Sequence, residues 1–154
     1  WQTSTVESIL QNEKYKGAGS KDNDSFVYLH EIMPTILDVA GVKPPPPVDG
    51  ESILPLMMGQ RESNGREEVF CEFHNHFYVH RQRMVRDLDY QFTFNESERG
   101  ELYDLKKDPY QLKNVCYDPA YAEVKKQYMD KMSKYLKALN DPASTWFHRI
   151  KEFY

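Results

Sequence analysis

Apolar positions fall into distinct rhythms along this chain. Between Glu31 and Ala40, Ile32, Met33, Ile36, Leu37, Val39 and Ala40 form a broad stripe, which predicts a helix. Pro34 falls in its first turn, where a missing N–H costs nothing, and Gly41 follows as a stop that can turn left-handed. Ser25 to Leu29 reads as a short extended lead-in. Pro44 to Pro47 can be neither helix nor central strand, so a stiff polyproline II spacer is expected. Asp49-Gly50 has turn chemistry, and Ser52 can cap a brief helix through Met58 that ends at Gly59.

From Glu68 the period shortens to two. Glu68 to Phe73 alternates, with Val69, Cys71 and Phe73 in step. Gln82 to Asp87, Tyr90 to Phe94 and Glu101 to Leu105 complete four strand candidates. Turn residues at Asp87 to Asp89 and at Asn95 to Gly100 favour an antiparallel meander. The longer period returns from Pro119 to Leu139, where Tyr121, Val124, Tyr128, Met132, Tyr135 and Leu139 recur at helical steps, widened by Met129 and Leu136. Asp118 is placed to cap this helix and Asp141-Pro142 to end it. The fold class that follows is α+β: a four-stranded antiparallel sheet packed against a long C-terminal helix, preceded by a helix and loop segment.

The ends are less regular. The first sixteen residues, starting at Trp1, show no clean period, and Gly17-Ala-Gly19-Ser20 reads as a flexible joint, so residues 1–20 are expected to be an irregular stub of something longer. Residues 21–60 hold the first helix and its spacer, and residues 61–142 the sheet and long helix. Residues 143–154 form an aromatic tail, Trp146 to Tyr154, that must dock somewhere or be sticky.

Composition narrows the classes. With 154 residues, 40% hydrophobic, eleven tyrosines and eight phenylalanines, the chain has enough apolar mass for one domain. A formal charge of -4 without a basic tract argues against nucleic acid as partner. No apolar run approaches the roughly 20 residues needed to span a bilayer, so no membrane partner is expected. Two cysteines, Cys71 and Cys116, neither compel nor exclude a disulfide.

Candidate chemistry concentrates in Glu68 to Arg86. This stretch gathers His74, His76 and His80 with Arg81, Arg83 and Arg86. Guanidinium groups fork onto sulfate, phosphate or carboxylate, and imidazoles suit anions or metals. His74, His76 and His80 with Glu72 could in principle ligate zinc, but the spacing is a weak signal and no metal site is assigned. Salt bridges from each arginine to a nearby acid such as Asp87, Asp89 or Glu72 are the plain alternative. Nucleophilic catalysis is poorly supported: no Gly-x-Ser-x-Gly elbow or Gly-rich phosphate loop occurs, and Glu72 beside Cys71 would raise that thiol's pKa. No catalytic residue is therefore expected here. Asn95-Glu-Ser97 fits a glycosylation sequon, which matters only for a chain secreted by a eukaryote.

Several strings together resemble the sulfatases. Phe26 to Val42, with Met-Pro34-Thr-Ile-Leu-Asp-Val-Ala-Gly41, is similar to that family's proline–threonine helix. Asp49-Gly50-Glu-Ser52-Ile-Leu-Pro55-Leu-Met-Met-Gly59 is similar to the segment that follows. Arg83-Met-Val-Arg86 with Tyr90, and Glu101-Leu-Tyr-Asp-Leu105 with Asp108-Pro109 and Asn114, resemble later family blocks in order and spacing. The chain departs from the pattern at Glu31, Asp87 and Gln91, where Asp, Thr and Lys are usual.

The closest flavour is the N-sulphoglucosamine sulphohydrolase group, acting on sulfated sugars. The resemblance implies a C-terminal part, with residues 21–60 closing a large α/β domain and residues 61–142 forming the subdomain beside it. It implies a periplasmic, secreted or lysosomal setting. It also implies that the formylglycine nucleophile and calcium belong to an N-terminal part, since neither cysteine here is followed two residues on by proline. In that setting His74, His76, Arg81 and Arg83 are expected to contact the sulfated sugar together with the large domain. The alternative is a stand-alone anionic-glycan-binding or interaction module without catalysis.

Overall fold

The computed structural model describes residues 23–74, 81–96 and 98–151. The chain divides into two compact units, Trp1–Arg66 and Glu67–Tyr154.

In the first unit, a single 3-10 turn at Leu29–Glu31 runs into helix α1, Ile32–Val39. Gly41 ends it with φ +70°, the left-handed conformation that favours glycine, and Val42 N–H donates to the Leu37 carbonyl. The four-proline run holds a cis bond between Pro46 and Pro47. Helix α2, Leu54–Met57, is one turn long and ends toward Gly59, also at positive φ. Ser52 joins the two helices: its hydroxyl donates to Asp38 at 2.5 Å and accepts from Leu54 N–H at 3.2 Å. A β-carbon at Gly50 would lie 2.5 Å from the His30 carbonyl oxygen, so this close approach requires glycine.

Among the described residues of this unit little apolar surface is buried; a polar clasp organises them. Arg66 forks onto Glu31, Nη2 to Oε1 at 2.9 Å and Nη1 to Oε2 at 3.2 Å. Nη1 also donates to the Phe26 carbonyl at 2.7 Å, and the guanidinium lies 4.5 Å from the Tyr28 ring centre. Burial pushes the Glu31 carboxyl up, but the Arg66 fork and the Tyr28 N–H outweigh it, so its pKa falls below the ordinary value.

The second unit is a four-stranded antiparallel meander, β1 Val69–His74, β2 Arg81–Arg86, β3 Tyr90–Asn95 and β4 Glu101–Asp104, in the order β1-β2-β3-β4. Helices α3, Ala122–Ala138, and α4, Ala143–Ile150, follow. Pairing sets the faces. Phe70 lies opposite Val85, Val85 opposite Phe92 and Phe92 opposite Leu102, so these four share the face that enters the core. Phe92, Phe94, Leu102, Met132, Leu136 and Phe147 are fully buried there. Phe147 meets Phe94 edge-on at 4.8 Å, which docks the aromatic tail through α4. Asp118 accepts from Ala120 N–H at 3.0 Å at the start of the long helical segment, in the capping role its position suggests. The α+β architecture expected from the sequence is present, with α4 added to it.

Val69, Cys71 and Phe73 share one face of β1, as the alternation expects, but of the three only Val69 is buried. Phe70, stacked on Tyr135 at 5.0 Å, turns toward the helices. Cys71 and Phe73 point the other way; Cys71 is exposed and Phe73 is 51% exposed. β1 lies at one end of the sheet order, where covering by α3 stops after Phe70 and the inward face becomes Glu72 and His74.

At the other end, Asn114 works as a short piece of backbone. Its carbonyl oxygen accepts from Leu102 N–H at 3.1 Å and Cys116 N–H at 2.9 Å, and its amide donates to the Gly100 carbonyl. This explains an asparagine after Asp108-Pro109: it satisfies groups that strand β4 leaves over.

Candidate functional site

The histidine–arginine segment straddles the β1–β2 turn. His74 lies opposite Arg81 and Glu72 opposite Arg83, so all four share one face of the sheet. His76 and His80 lie outside the described residues.

The four do not share one environment. His74 is exposed and its Nε2 sits 3.2 Å from Glu72 Oε2, a contact that two residues on one strand face make naturally. Arg81 is half exposed, with Nη1 3.7 Å from Glu96 Oε2.

Arg83 differs. It is only 2% exposed and forks onto Asp141, Nε to Oδ2 at 2.6 Å and Nη2 to Oδ1 at 3.1 Å. Nη1 donates to the Gln82 carbonyl. Its guanidinium is committed inside the unit, which removes it from the exposed cations expected to meet a sugar. Burial pushes the Asp141 carboxyl up, but the Arg83 fork, the Ala143 N–H and the charges of Arg83 and His74 prevail, leaving its pKa below the ordinary value. Because Asp141 also accepts from Ala143 N–H at 2.8 Å, one carboxylate holds β2 and starts α4.

A second anchor stands at the opposite end of the sheet. Asp87 accepts from the Tyr128 hydroxyl and from Lys131 Nζ at 2.9 Å, and Lys131 also reaches Glu68 at 2.7 Å. Burial raises the Asp87 carboxyl while these donors and two backbone N–H groups lower it further, for a net downward shift. Burial and the Asp87 carboxylate both raise the Tyr128 phenol. These groups bind α3 to the sheet, and neither the histidines nor the arginines near them are involved.

Sequence reasoning passed over two further residues near Arg81. Glu96 N–H donates to the Arg81 carbonyl at 3.2 Å, and the Trp146 indole N–H donates to the Glu96 carbonyl at 3.3 Å. Trp146 sits fifty residues beyond Glu96. Only its position in an otherwise docked aromatic tail hinted at a role.

The groups at this end are a guanidinium, an imidazole, two carboxylates and an indole. Neighbouring side chains partly desolvate the Cys71 thiol and raise it although the residue is exposed, and full burial pushes Cys116 up to about 11, so neither supplies a ready thiolate. No cluster of three or more His, Cys, Asp or Glu able to hold a metal occurs among the described residues. The calcium implied by the family resemblance finds no such donor set among the described residues, and no bond-breaking step is assigned to them. Asn95 of the sequon is 1% exposed, with its amide donating to the Arg99 carbonyl and Glu101. It is no glycan acceptor in the folded chain. No helix among the described residues is long and apolar enough to cross a membrane.

A meander crossed by a long helix, following a proline–threonine helix, defines an α+β subdomain of the kind found in sulfatases. A 2-O GAG sulfatase superposes on 75% of this chain with a TM-score of 0.63 and 30% identity, using 26% of its own length. The phosphonate monoester hydrolase of Agrobacterium radiobacter follows at 0.56 and 28% identity, over 71% of this chain and 24% of that one. Residues 10–138 match the family model described as N-sulphoglucosamine sulphohydrolase, C-terminal, and the chain belongs to that family.

The Delta 4,5-hexuronate-2-O-sulfatase of Bacteroides thetaiotaomicron is 32% identical over 114 residues, which is 72% of this chain and 24% of the relative. An uncharacterized protein of Haemophilus influenzae is 39% identical over 129 residues, 84% of this chain and 66% of that protein. The chain thus spans about a quarter of the sulfatase relative it matches.

Proposed function

We propose that this chain serves as the C-terminal part of a sulfatase acting on sulfated sugars, shaping the substrate pocket while the bond-breaking groups stand in an α/β domain. The observation that carries this is the family match over residues 10–138, which takes in α1, the sheet and all of α3. The family's formylglycine and calcium would supply the hydrolytic chemistry from that domain. Within this chain His74 and Arg81 remain available to contact the sugar, with His76 as a further candidate. Arg83 holds the scaffold beneath them.

Two measurements test the proposal. The chain alone, incubated with sulfated uronate–glucosamine disaccharides, is expected to release no sulfate above the buffer blank. Grafted in place of the corresponding quarter of the Bacteroides hexuronate 2-O-sulfatase, it is expected to support sulfate release. His74→Ala with Arg81→Ala in that graft should raise KM by about tenfold, the loss of roughly one charge-assisted contact. A graft that folds and never releases sulfate overturns the proposal. So does turnover by the chain alone. Sugar binding by the chain, with no active graft, would favour the stand-alone module.

A further inference from the structure

We infer that the outward stripe of α1 and its lead-in turn, Leu29, Ile32, Met33 and Ile36, is the face on which the other three quarters of a sulfatase dock. The inference rests on the proposed role as the C-terminal part of a sulfatase and names the surface that joins it to that partner.

Positions 29, 32, 33 and 36 follow the three- and four-residue steps that put side chains on one helical face. All four are open to solvent, Leu29 at 86% and Ile36 at 59% exposed. The polar side is the one turned inward. Glu31 and Thr35 are buried. The Thr35 hydroxyl donates to the Glu31 carbonyl at 2.6 Å and accepts from Ile53 N–H at 3.0 Å. Glu31 takes the Arg66 fork, and Asp38 takes the Ser52 hydroxyl. Rolling the helix to bury its stripe would break these bonds, so the unit's own polar contacts hold the stripe outward.

A stripe of this kind calls for an apolar partner. A lipid surface is a poor match. Helices that lie on membranes carry Lys and Arg on the polar face, and no Lys or Arg occurs between Asp24 and Val42. A second copy would bring only the same eight-residue helix, about 12 Å long, against the roughly 800 Å² that each partner of a stable interface covers. The relatives supply a larger partner. The family match takes in α1, and the hexuronate 2-O-sulfatase gives only 24% of its length to the part it shares with this chain. The rest of that protein is the surface that accompanies this part there.

The test compares the full chain with the graft that carries it in place of the sulfatase's own quarter. Ile36→Cys and Tyr110→Cys are made separately in each, and maleimide labelling at the substituted position is read by peptide mass spectrometry. In the chain alone both positions should react fast, since Ile36 is 59% and Tyr110 82% exposed. In the graft, labelling at position 36 should slow by at least about tenfold, while labelling at position 110 stays the same. Equal rates at position 36 in chain and graft, or equal slowing at both positions, overturn the docking face. Protection at position 36 in a graft that releases no sulfate keeps the docking face and overturns the proposed function. Sulfate release without that protection does the reverse.

Discussion

Ile36 and Leu136 are aliphatic residues on the apolar stripes of two helices, yet Ile36 is 59% exposed and Leu136 is fully buried. The contrast extends to their units. In the first, Leu29, Ile32, Met33, Val42 and Met57 are exposed, and the buried side chains include Glu31 and Thr35. In the second, sheet and helices close around a continuous apolar cluster. An amphipathic pattern therefore states what a helix can bury, and only the neighbouring elements decide whether it does. Among the described residues, one unit is held by a core and the other by a clasp.

The largest effect is expected where the second unit buries charge. Arg83→Ala leaves Asp141 unpaired inside and should cost about 3–5 kcal/mol, read as a lowered midpoint in urea unfolding. The pH dependence has a definite sign. Because the folded Asp141 carboxyl lies below its ordinary value of roughly 3.9, its contribution is complete above that pH and drains away as pH falls toward the folded value. Tm should drop on acidification below about pH 4, and Asp141→Asn should flatten that limb from an already lowered start.

Next in size is the pair that defines the contrast. Leu136→Ala should cost about 2–5 kcal/mol, whereas Ile36→Ala should change the same unfolding midpoint by less than about 0.5 kcal/mol. Equal losses would dissolve the distinction between a core-built and a clasp-built unit. A smaller effect, about 1–3 kcal/mol, is expected for Asn114→Ala, which strips partners from Leu102 N–H, Cys116 N–H and the Gly100 carbonyl. The smallest perturbation is brief trypsin treatment, where cleavage at the exposed Arg61 should precede any cut within α3. Early cleavage in α3 would reverse the ranking of the two units.

Local rules made much of the fold legible. Period-two strands separated by turn residues gave the meander, and the long stripe gave α3. Which face of β1 turns inward was not legible, because alternation alone cannot tell which side a helix will cover at the end of a sheet. Arg83 was placed among surface cations because its partner lies 58 residues downstream, a separation no spacing rule spans. Glu96 and Trp146 are likewise joined only by the packing of α4. His74 and Arg81 lie opposite each other because adjacent strands close in sequence pair there.

The Arg66–Glu31 fork has a consequence for chain length. It fastens two points 35 residues apart, so the intervening path, including the four prolines, is a closed loop, held at its ends by this fork and by the bonds of Arg66 and Asn64 to the Phe26 carbonyl and narrowed inside by Ser52 on Asp38. Closing such a loop costs only about 0.6 kcal/mol more for each doubling of its length. Residues could then be inserted near Pro45 with little thermodynamic effect, provided Arg66 still reaches Glu31. The spacer is where this sequence has latitude to grow.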